Sequence, residues 1–272
     1  MSFTYHEHNG LRWSCSDIIP IPHMFTERLG GVGDYPYSSK YDPQWLRPEV
    51  QQRVREQWLN LTEAGSFPAG LCFTHQVHGN LVRYVTEADA LLPPLEKVPV
   101  DCDGLVTDVP GLPVTIFTAD CVPVLLCDPE AGVAAAAHCG WKGTAKDMMG
   151  AAVRALTERG AGVENIRIAI GPAISRCCFE VGSEVPEAME ALLGADTAGT
   201  YEPEPGVEGK YLLDLKEVNR RRAMQLGVRP EHIDVNPDCT RCLSERYWSH
   251  RATGGVRGTQ AAVIMLPDKR EG

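Results

Sequence analysis

Short runs of apolar residues, separated by polar turns, recur along the chain and predict β-strands. Runs of about four to eight residues that are rich in Val, Ile and Leu are typical of strands buried within a sheet. The predicted strands are Leu81–Val85, Leu112–Phe117, Val122–Cys127, Val133–Ala137, Ile166–Ile170, His232–Val235 and Ala261–Leu266.

Capping residues and helix stops predict four helices between these strands. Proline opens helices readily, Ser, Thr and Asp cap their first turns, and glycine ends them. The predicted helices run from about Glu49, opened by Pro48, to Ala64, from a Thr144–Asp147 capping box to Arg159, from a Ser183 cap to Leu193, and from an Asp214–Glu217 start to Gly227.

Strands and helices do not alternate strictly along the chain, which disfavours a doubly wound parallel sheet and favours an α+β fold with mixed sheets. We find no internal repeat and no linker, so residues 1–272 are expected to form a single domain. The segment Leu91–Pro99 carries three prolines and predicts a surface loop. The stretch Gly194–Gly209, rich in Gly, Pro and Glu, predicts a flexible insertion.

The net charge and the distribution of apolar residues argue against several classes of protein. The formal charge is −10, from 26 basic and 36 acidic residues, which argues against broad nucleic-acid binding. The chain has no apolar run of about 18 residues, so we expect no membrane span. Met1–Gly10 lacks the basic and apolar regions of a secretory signal, so we expect a cytoplasmic protein. The oligomeric state has no signature in the sequence.

Three short segments supply candidate metal ligands: Thr74–Gly79 with His78, Thr118–Pro123 with Cys121, and Ala137–Gly143 with His138. Imidazole and thiolate are ligands that Zn²⁺ favours, and three protein ligands with an open fourth position are typical of catalytic zinc. The ligands are 43 and 17 residues apart, so only the tertiary fold can unite them.

The residues around these ligands resemble the family variously called YfiH-like, laccase-domain or multicopper polyphenol oxidase proteins. The resemblance runs from about Phe25 to Leu266. Further matching segments are Arg28–Val32, Asp103–Thr107, Gly171–Ile174, Cys177–Gly182, Cys239–Thr240 and Trp248–Arg251.

This resemblance implies layered sheets with outer helices, and a zinc-dependent purine nucleoside phosphorylase that also has adenosine deaminase activity. The implied substrates are phosphate and adenosine, inosine, guanosine or methylthioadenosine. His78, Cys121 and His138 would bind the metal and take part in catalysis.

Asp120 is a further candidate catalytic residue, which could orient a ligand or accept a proton. The alternative is a turn carboxylate that is bonded to nearby backbone N–H groups. His75 is a candidate for holding a ligand or a substrate group. Both residues lie within the matching segments.

Arg28 and Lys142 are candidate substrate-binding cations. Arg28 is followed closely by Gly30 and Gly31, a pattern that suits an anion pocket, although a surface turn is the alternative. Lys142 stands where the family has arginine, which keeps the charge but loses the planar bidentate fork. The segment Ser39–Pro43 and His250 also depart from the family pattern, which affects substrate preference and not the metal ligands.

Three alternatives to the phosphorylase remain open. The family name suggests a Cu²⁺ oxidase of phenols, but the chain has eight histidines, and three of them, His6, His8 and His23, lie near its N-terminus. Cys121 and His138 could form a metal-free dyad that hydrolyses amides, including cell-wall precursors. A binding module without catalysis is disfavoured, because it has no need for an open metal site.

Ten cysteines in a chain of this size are expected to be reduced thiols rather than disulfides. Cys177 and Cys178 are adjacent, and we expect them to pack rather than to carry redox chemistry. Cys239 and Cys242 form a CxxC motif, but no second CxxC completes a zinc ribbon, which disfavours a separate structural metal.

Overall fold

The computed structural model describes residues 3–29, 48–67, 70–89 and 97–268 of the chain. Its strands are β1 Phe3–His8, β2 Leu11–Ser16, β3 His23–Thr26, β4 Val82–Tyr84, β5 Gly104–Thr107, β6 Val114–Thr118, β7 Val122–Asp128, β8 Val133–Cys139, β9 Arg167–Ile170, β10 Glu180–Gly182, β11 Tyr201–Pro203, β12 Lys210–Leu213, β13 Ile233–Val235 and β14 Gln260–Ile264. Its helices are α1 Pro48–Ala64, α2 Trp141–Ala145, α3 Met148–Thr157, α4 Glu184–Leu193, α5 Leu215–Gln225 and α6 His250–Thr253.

The strands form three sheets. A five-stranded antiparallel sheet has the order β1-β2-β3-β14-β6, and a three-stranded antiparallel sheet has the order β10-β12-β11. A six-stranded sheet has the order β13-β9-β7-β8-β5-β4, in which β13 is parallel to β9 and β4 to β5, while the inner pairs are antiparallel.

Three apolar clusters show how the layers stack. The six-stranded sheet packs through Val124 and Ala135 against α3, α4 and α5, and through Leu125 and Ala136 against the five-stranded sheet. The far face of the five-stranded sheet packs against Trp58 and other residues of α1. Because successive side chains of a strand point to opposite faces, β7 and β8 are buried on both sides, as their continuous apolar runs predict.

The predicted α+β class with mixed sheets and outer helices is therefore confirmed. Each of the seven predicted strands corresponds to an observed strand, with ends that shift by up to two residues. The pattern missed β1, whose side chains are mostly exposed, the strands β2, β3 and β5, and the short strands of the three-stranded sheet. No helix in the described ranges is long and apolar enough to cross a membrane.

Helix α1 ends at Ala64 as predicted and begins one residue before the predicted start. The single continuous helix predicted from Thr144 to Arg159 was wrong. The chain forms α2 from Trp141 and breaks before α3. Asp147 adopts a left-handed φ of +65° and accepts a hydrogen bond from Gly150 N at 3.0 Å, so it caps α3 rather than completing a box with Thr144. An ion pair with Arg222 of α5 holds the carboxylate in place.

The segment between Gly194 and Gly209, predicted as a flexible insertion, contains regular secondary structure. The segment begins with a 3₁₀ turn at Gly194–Thr197 and continues into β11, which pairs with β12. Residues 91–96 of the predicted proline loop lie outside the described ranges, as does the departure at 39–43.

Candidate metal centre

Two of the three predicted metal ligands lie where paired strands of the six-stranded sheet end. Val122 at the start of β7 pairs with Cys139 at the end of β8. Cys121 immediately precedes β7, and His138 lies one residue inside the end of β8. The antiparallel register therefore brings the Cys121 thiol and the His138 imidazole to the same edge of the sheet.

The third ligand, His78, comes from the loop before β4. Its Nε2 atom is 4.0 Å from Cys121 Sγ, and its ring lies edge-on to the His138 ring with centroids 4.9 Å apart. One donor atom from each residue lies within 4.8 Å of the other two. His138 is buried and His78 is exposed, so the group has one side open to solvent. The structure thus unites the three residues that the sequence singled out.

Asp103, just before β5, is a candidate functional residue that the sequence reasoning missed. Gly104 pairs with Ala137 of β8, so Asp103 lies beside His138. Its buried carboxylate Oδ1 is 2.8 Å from His138 Nδ1, and its carbonyl accepts the His138 backbone N–H at 2.7 Å. This contact leaves His138 Nε2 free for a metal, as carboxylates beside metal-binding histidines commonly do.

The same carboxylate shapes the loop that carries His78. Asp103 accepts hydrogen bonds from three consecutive backbone N–H groups, those of Val77 at 3.1 Å, His78 at 2.9 Å and Gly79 at 2.7 Å. His78 itself has a left-handed φ of +59°, which costs energy for any residue with a side chain. One buried group therefore orients two of the three ligands.

The ionisable groups favour a thiolate at this site. Burial raises the pKa of Cys121, but the adjacent imidazoles of His138 and His78 outweigh it and lower that pKa to about 6. Burial lowers the pKa of His138, while the Cys121 thiolate and the Asp103 carboxylate raise it to about 9. Burial opposes ionisation of Asp103, yet hydrogen bonds from His138 and Gly79 hold its pKa below the usual range.

Gly140 and Gly143 let the backbone of α2 approach this group. A Cβ atom at Gly140 would lie 3.0 Å from His78 Cδ2 and 3.1 Å from Cys121 Sγ. A Cβ atom at Gly143 would lie 2.7 Å from the carbonyl oxygen of Gly79, which belongs to the His78 loop. A side chain at Gly143 would therefore collide with the backbone of the His78 loop, and one at Gly140 would force the His78 and Cys121 side chains to shift.

Asp120 precedes Cys121 and is held by hydrogen bonds from distant parts of the chain. Its Oδ1 accepts from Thr240 Oγ1 at 2.6 Å, and its Oδ2 accepts from Ser249 Oγ at 3.0 Å and from Arg251 N at 2.7 Å. Its φ is +81°, again in the left-handed region. The carboxylate thus fixes the tight turn between β6 and β7 that presents the Cys121 thiol.

The predicted substrate-binding residues occupy three different surroundings. The Arg28 guanidinium lies 3.9 Å from the centroid of the Trp248 ring and donates to the Ser244 carbonyl at 3.1 Å, while Gly30 and Gly31 lie outside the described ranges. Lys142 is exposed on α2. His75 is not part of the three-residue group; its Nδ1 is 3.1 Å from an Asp101 carboxylate oxygen.

Arg257 is a second residue that the sequence reasoning missed. Burial lowers its pKa, and the negative charges of Cys121 and Asp120 raise it, so the guanidinium lies within the electrostatic reach of both residues. Its Nε donates to His250 Nδ1 at 3.3 Å and its Nη1 to the Gly258 carbonyl at 3.1 Å. In the part of the chain that the structure describes, no carboxylate forms an ion pair with it.

The donor set fits one zinc ion better than several copper ions. A tetrahedral zinc with bonds of about 2.3 Å to sulfur and about 2.0 Å to nitrogen holds the sulfur and nitrogen atoms about 3.6 Å apart. The distance between Cys121 Sγ and His78 Nε2 is close to this value, at 4.0 Å. All eight histidines lie in the described ranges, and of these His78 and His138 alone join a group with metal-binding geometry. A multicopper centre requires many more histidines than these two.

Comparisons with known proteins agree with this architecture. A family model described as "Multi-copper polyphenol oxidoreductase laccase" matches residues 22–267. A purine nucleoside phosphorylase from Deinococcus radiodurans is 37% identical over 262 residues, covering 93% of this chain and 92% of that protein. Adenosine deaminase RL5 from an unknown prokaryotic organism is 37% identical over 153 residues, covering 56% of this chain and 57% of that protein.

Among solved structures, YlmD from Geobacillus stearothermophilus superposes with a TM-score of 0.82 at 28% identity, covering 98% of this chain and 99% of that chain. The fold and the site together define the class of protein. It is an α+β enzyme with mixed sheets, outer helices and a candidate open metal centre, where two histidines converge on a cysteine. More particularly, the chain belongs to the multi-copper polyphenol oxidoreductase laccase family, which confirms the resemblance seen in the sequence.

Proposed function

We propose that this protein is a zinc-dependent purine nucleoside phosphorylase that also deaminates adenosine. The observation that carries the proposal is the convergence of His78, Cys121 and His138 beside a solvent-open face, with Asp103 orienting two of them. The names of the relatives, purine nucleoside phosphorylase and adenosine deaminase, supply the reaction classes.

His78 Nε2, Cys121 Sγ and His138 Nε2 would hold the ion. Bound there, zinc supplies a Lewis acid that polarises a substrate oxygen or nitrogen and activates water for attack. The residues of the chain supply the rest of the site. Asp103 keeps His138 in one tautomer, and the three donors to Asp120 support its role as a group that positions Cys121 rather than one that transfers a proton.

Phosphorolysis also requires a cation for the attacking phosphate, whose oxygen forms a bond to the anomeric carbon as the bond to the purine breaks. Arg257 supports this role best, because it lies within the electrostatic reach of Cys121 and Asp120 and forms no ion pair among the described residues. Arginine offers several N–H donors to a phosphate. Arg28 and Lys142 remain candidates from the sequence, and Arg28 lies on Trp248, next to the Asp120 partner Ser249.

The proposal is tested by chromatographic product analysis with adenosine, with and without phosphate, before and after metal removal. We expect adenine and ribose 1-phosphate when phosphate is present, inosine when it is absent, and neither product from the metal-free protein. Zinc added back should restore both. Release of adenine that requires no phosphate, or turnover that survives metal removal, would contradict the proposal.

A second candidate function rests on the contact between Asp103 and His138. An aspartate that orients a histidine beside a cysteine with a lowered pKa is also the arrangement of a cysteine hydrolase. Such an enzyme would hydrolyse amide substrates, such as cell-wall precursors, at full rate in the presence of a chelator. The metal-removal arm of the same experiment separates the two functions.

Replacing Arg257 tests the phosphate site directly. In Arg257→Gln we expect the KM for phosphate to rise by about 10-fold to 100-fold, because a charge-assisted contact of about 1.5–3 kcal/mol is lost. The KM for adenosine and the zinc content should change little. Arg257→Lys should recover part of the loss. The exposed Arg229 provides the control variant Arg229→Gln, and an unchanged KM for phosphate in Arg257→Gln would exclude this role.

A further inference from the structure

Four cysteines that the proposed function does not use converge at one place in the fold. Cys177 and Cys178 lie in the loop between β9 and β10, and Cys239 and Cys242 lie in the segment after β13. Their sulfur atoms all lie within 4.8 Å of one another. The sequence analysis disfavoured a structural metal because a second CxxC motif is missing. The structure instead supplies the second pair as the adjacent residues Cys177 and Cys178.

The sulfur spacing matches that of a single tetrahedral ion. Zinc with four bonds of about 2.3 Å to sulfur holds the sulfur atoms about 3.8 Å apart. Here Cys177 Sγ is 3.7 Å from Cys178 Sγ and 3.6 Å from Cys242 Sγ, and Cys178 Sγ is 3.4 Å from Cys242 Sγ. A disulfide requires about 2.0 Å, so none of these pairs is bonded. Tetrahedral thiolate sites of this kind favour zinc.

Hydrogen-bond donors and cations lie beside parts of this four-sulfur group. Ser175 N donates to Cys239 Sγ at 3.4 Å. Arg241 forms a hydrogen bond with the Cys178 thiol, and the buried Lys216 amine donates to the carbonyls of Asn236 and Asp238, the latter next to Cys239.

We infer that the chain binds a second metal ion, a structural Zn²⁺ held by the four thiolates of Cys177, Cys178, Cys239 and Cys242. All four positions of the ion are filled by protein, so this site is closed and does not bind substrate. The net charge of −2 that four thiolates and Zn²⁺ carry is partly balanced by Arg241 and Lys216. The ion ties together two loops that follow neighbouring strands of the six-stranded sheet.

These loops also hold Asp120 in place, which gives the second ion a positioning role. Thr240 follows Cys239 directly and donates to the Asp120 carboxylate, while its own backbone N–H bonds to the Ala173 carbonyl at 3.1 Å. Ile174 N donates to the Asp120 carbonyl at 3.0 Å. Fixing the cysteine loops therefore fixes the turn that presents Cys121.

Metal analysis of the purified full-length protein tests the inference without any activity measurement. We expect two zinc ions per chain in the wild type, and one each in Cys242→Ser and in His138→Ala, which remove different sites. Cys242 is exposed, so its replacement leaves the apolar core intact. Cys15→Ser is the matched control and should keep two zinc ions, because Cys15 lies outside both groups.

Cobalt substitution of His138→Ala provides a second measurement. Co²⁺ in the remaining site should show the thiolate charge-transfer and tetrahedral absorption bands of a four-sulfur centre, and these bands should be absent from the double variant with Cys242→Ser. A metal-free His138→Ala protein, or a disulfide that includes Cys242 in mass mapping, would overturn the inference. One zinc retained in His138→Ala supports it even if the phosphorylase proposal fails.

Discussion

Replacing His138 by alanine is expected to abolish both zinc binding at the candidate centre and nucleoside phosphorolysis. His138 supplies a buried ligand that Asp103 holds in place, and no neighbouring histidine of the group can substitute for it. Loss of a metal that carries the chemistry typically costs several orders of magnitude in rate, and we expect a fall in kcat/KM for inosine of about 10³-fold or more. The measurement is steady-state phosphorolysis beside a zinc assay on the same sample.

The control for this variant is His6→Ala, which removes an exposed imidazole from β1, far along the chain from the three ligands. It should leave zinc content and rate unchanged. Thermal unfolding of both variants separates loss of the metal from loss of the fold. A His138→Ala protein that lacks zinc at this centre and still releases purine at the wild-type rate would refute the zinc mechanism.

Replacing Asp103 by asparagine is expected to weaken zinc binding about 10-fold to 100-fold, the usual effect of losing the group that orients a metal-binding histidine. The amide keeps the size of the carboxylate. In the wild type, Asp103 Oδ2 accepts hydrogen bonds from the backbone N–H groups of Val77 and Gly79. In the variant, an NH₂ group that is itself a donor would face these two N–H groups. The side chain at position 103 is buried, and a buried donor without an acceptor costs about 1–3 kcal/mol, so the free energy of unfolding should also fall by about this amount.

Zinc titration with a competing chelator and urea unfolding of the metal-free protein measure these two effects separately. Asp108→Asn is the matched control, because Asp108 is exposed and accepts a single hydrogen bond from Tyr84 Oη at 2.7 Å. Zinc affinity that stays unchanged in Asp103→Asn would show that the carboxylate does not orient the ligands.

The sequence was most informative where burial leaves few alternatives. The apolar runs of β7 and β8 can be accommodated only between two layers, so their strands were predictable, and the segments around His78, Cys121 and His138 carried the family resemblance. Asp103 was missed, although it lies in a matching segment directly before a buried strand. An acidic residue at such a position needs a hydrogen-bond partner, and that signal could have identified it.

Other features depend on contacts between residues that are distant in the sequence. Nothing local to Arg257 indicates that its charge reaches Cys121. The four-cysteine group likewise combines an adjacent pair with a CxxC motif that lies over 60 residues later. The break between α2 and α3 was missed because Asp147 caps a helix only when its carboxylate is held, in this case by Arg222 of α5. These features are determined by tertiary structure.

The position of β14 has a consequence for the order of events during biosynthesis. Although β14 follows all the other described strands in the chain, it lies between β3 and β6, and pairs with both. The ribosome must therefore release residues 260–264 before the five-stranded sheet can close, and the Asp120 partners Thr240 and Ser249 emerge only shortly earlier. The nascent chain must keep the unpaired edges of β3 and β6 from aggregating until residues 260–264 have emerged and β14 can pair with both.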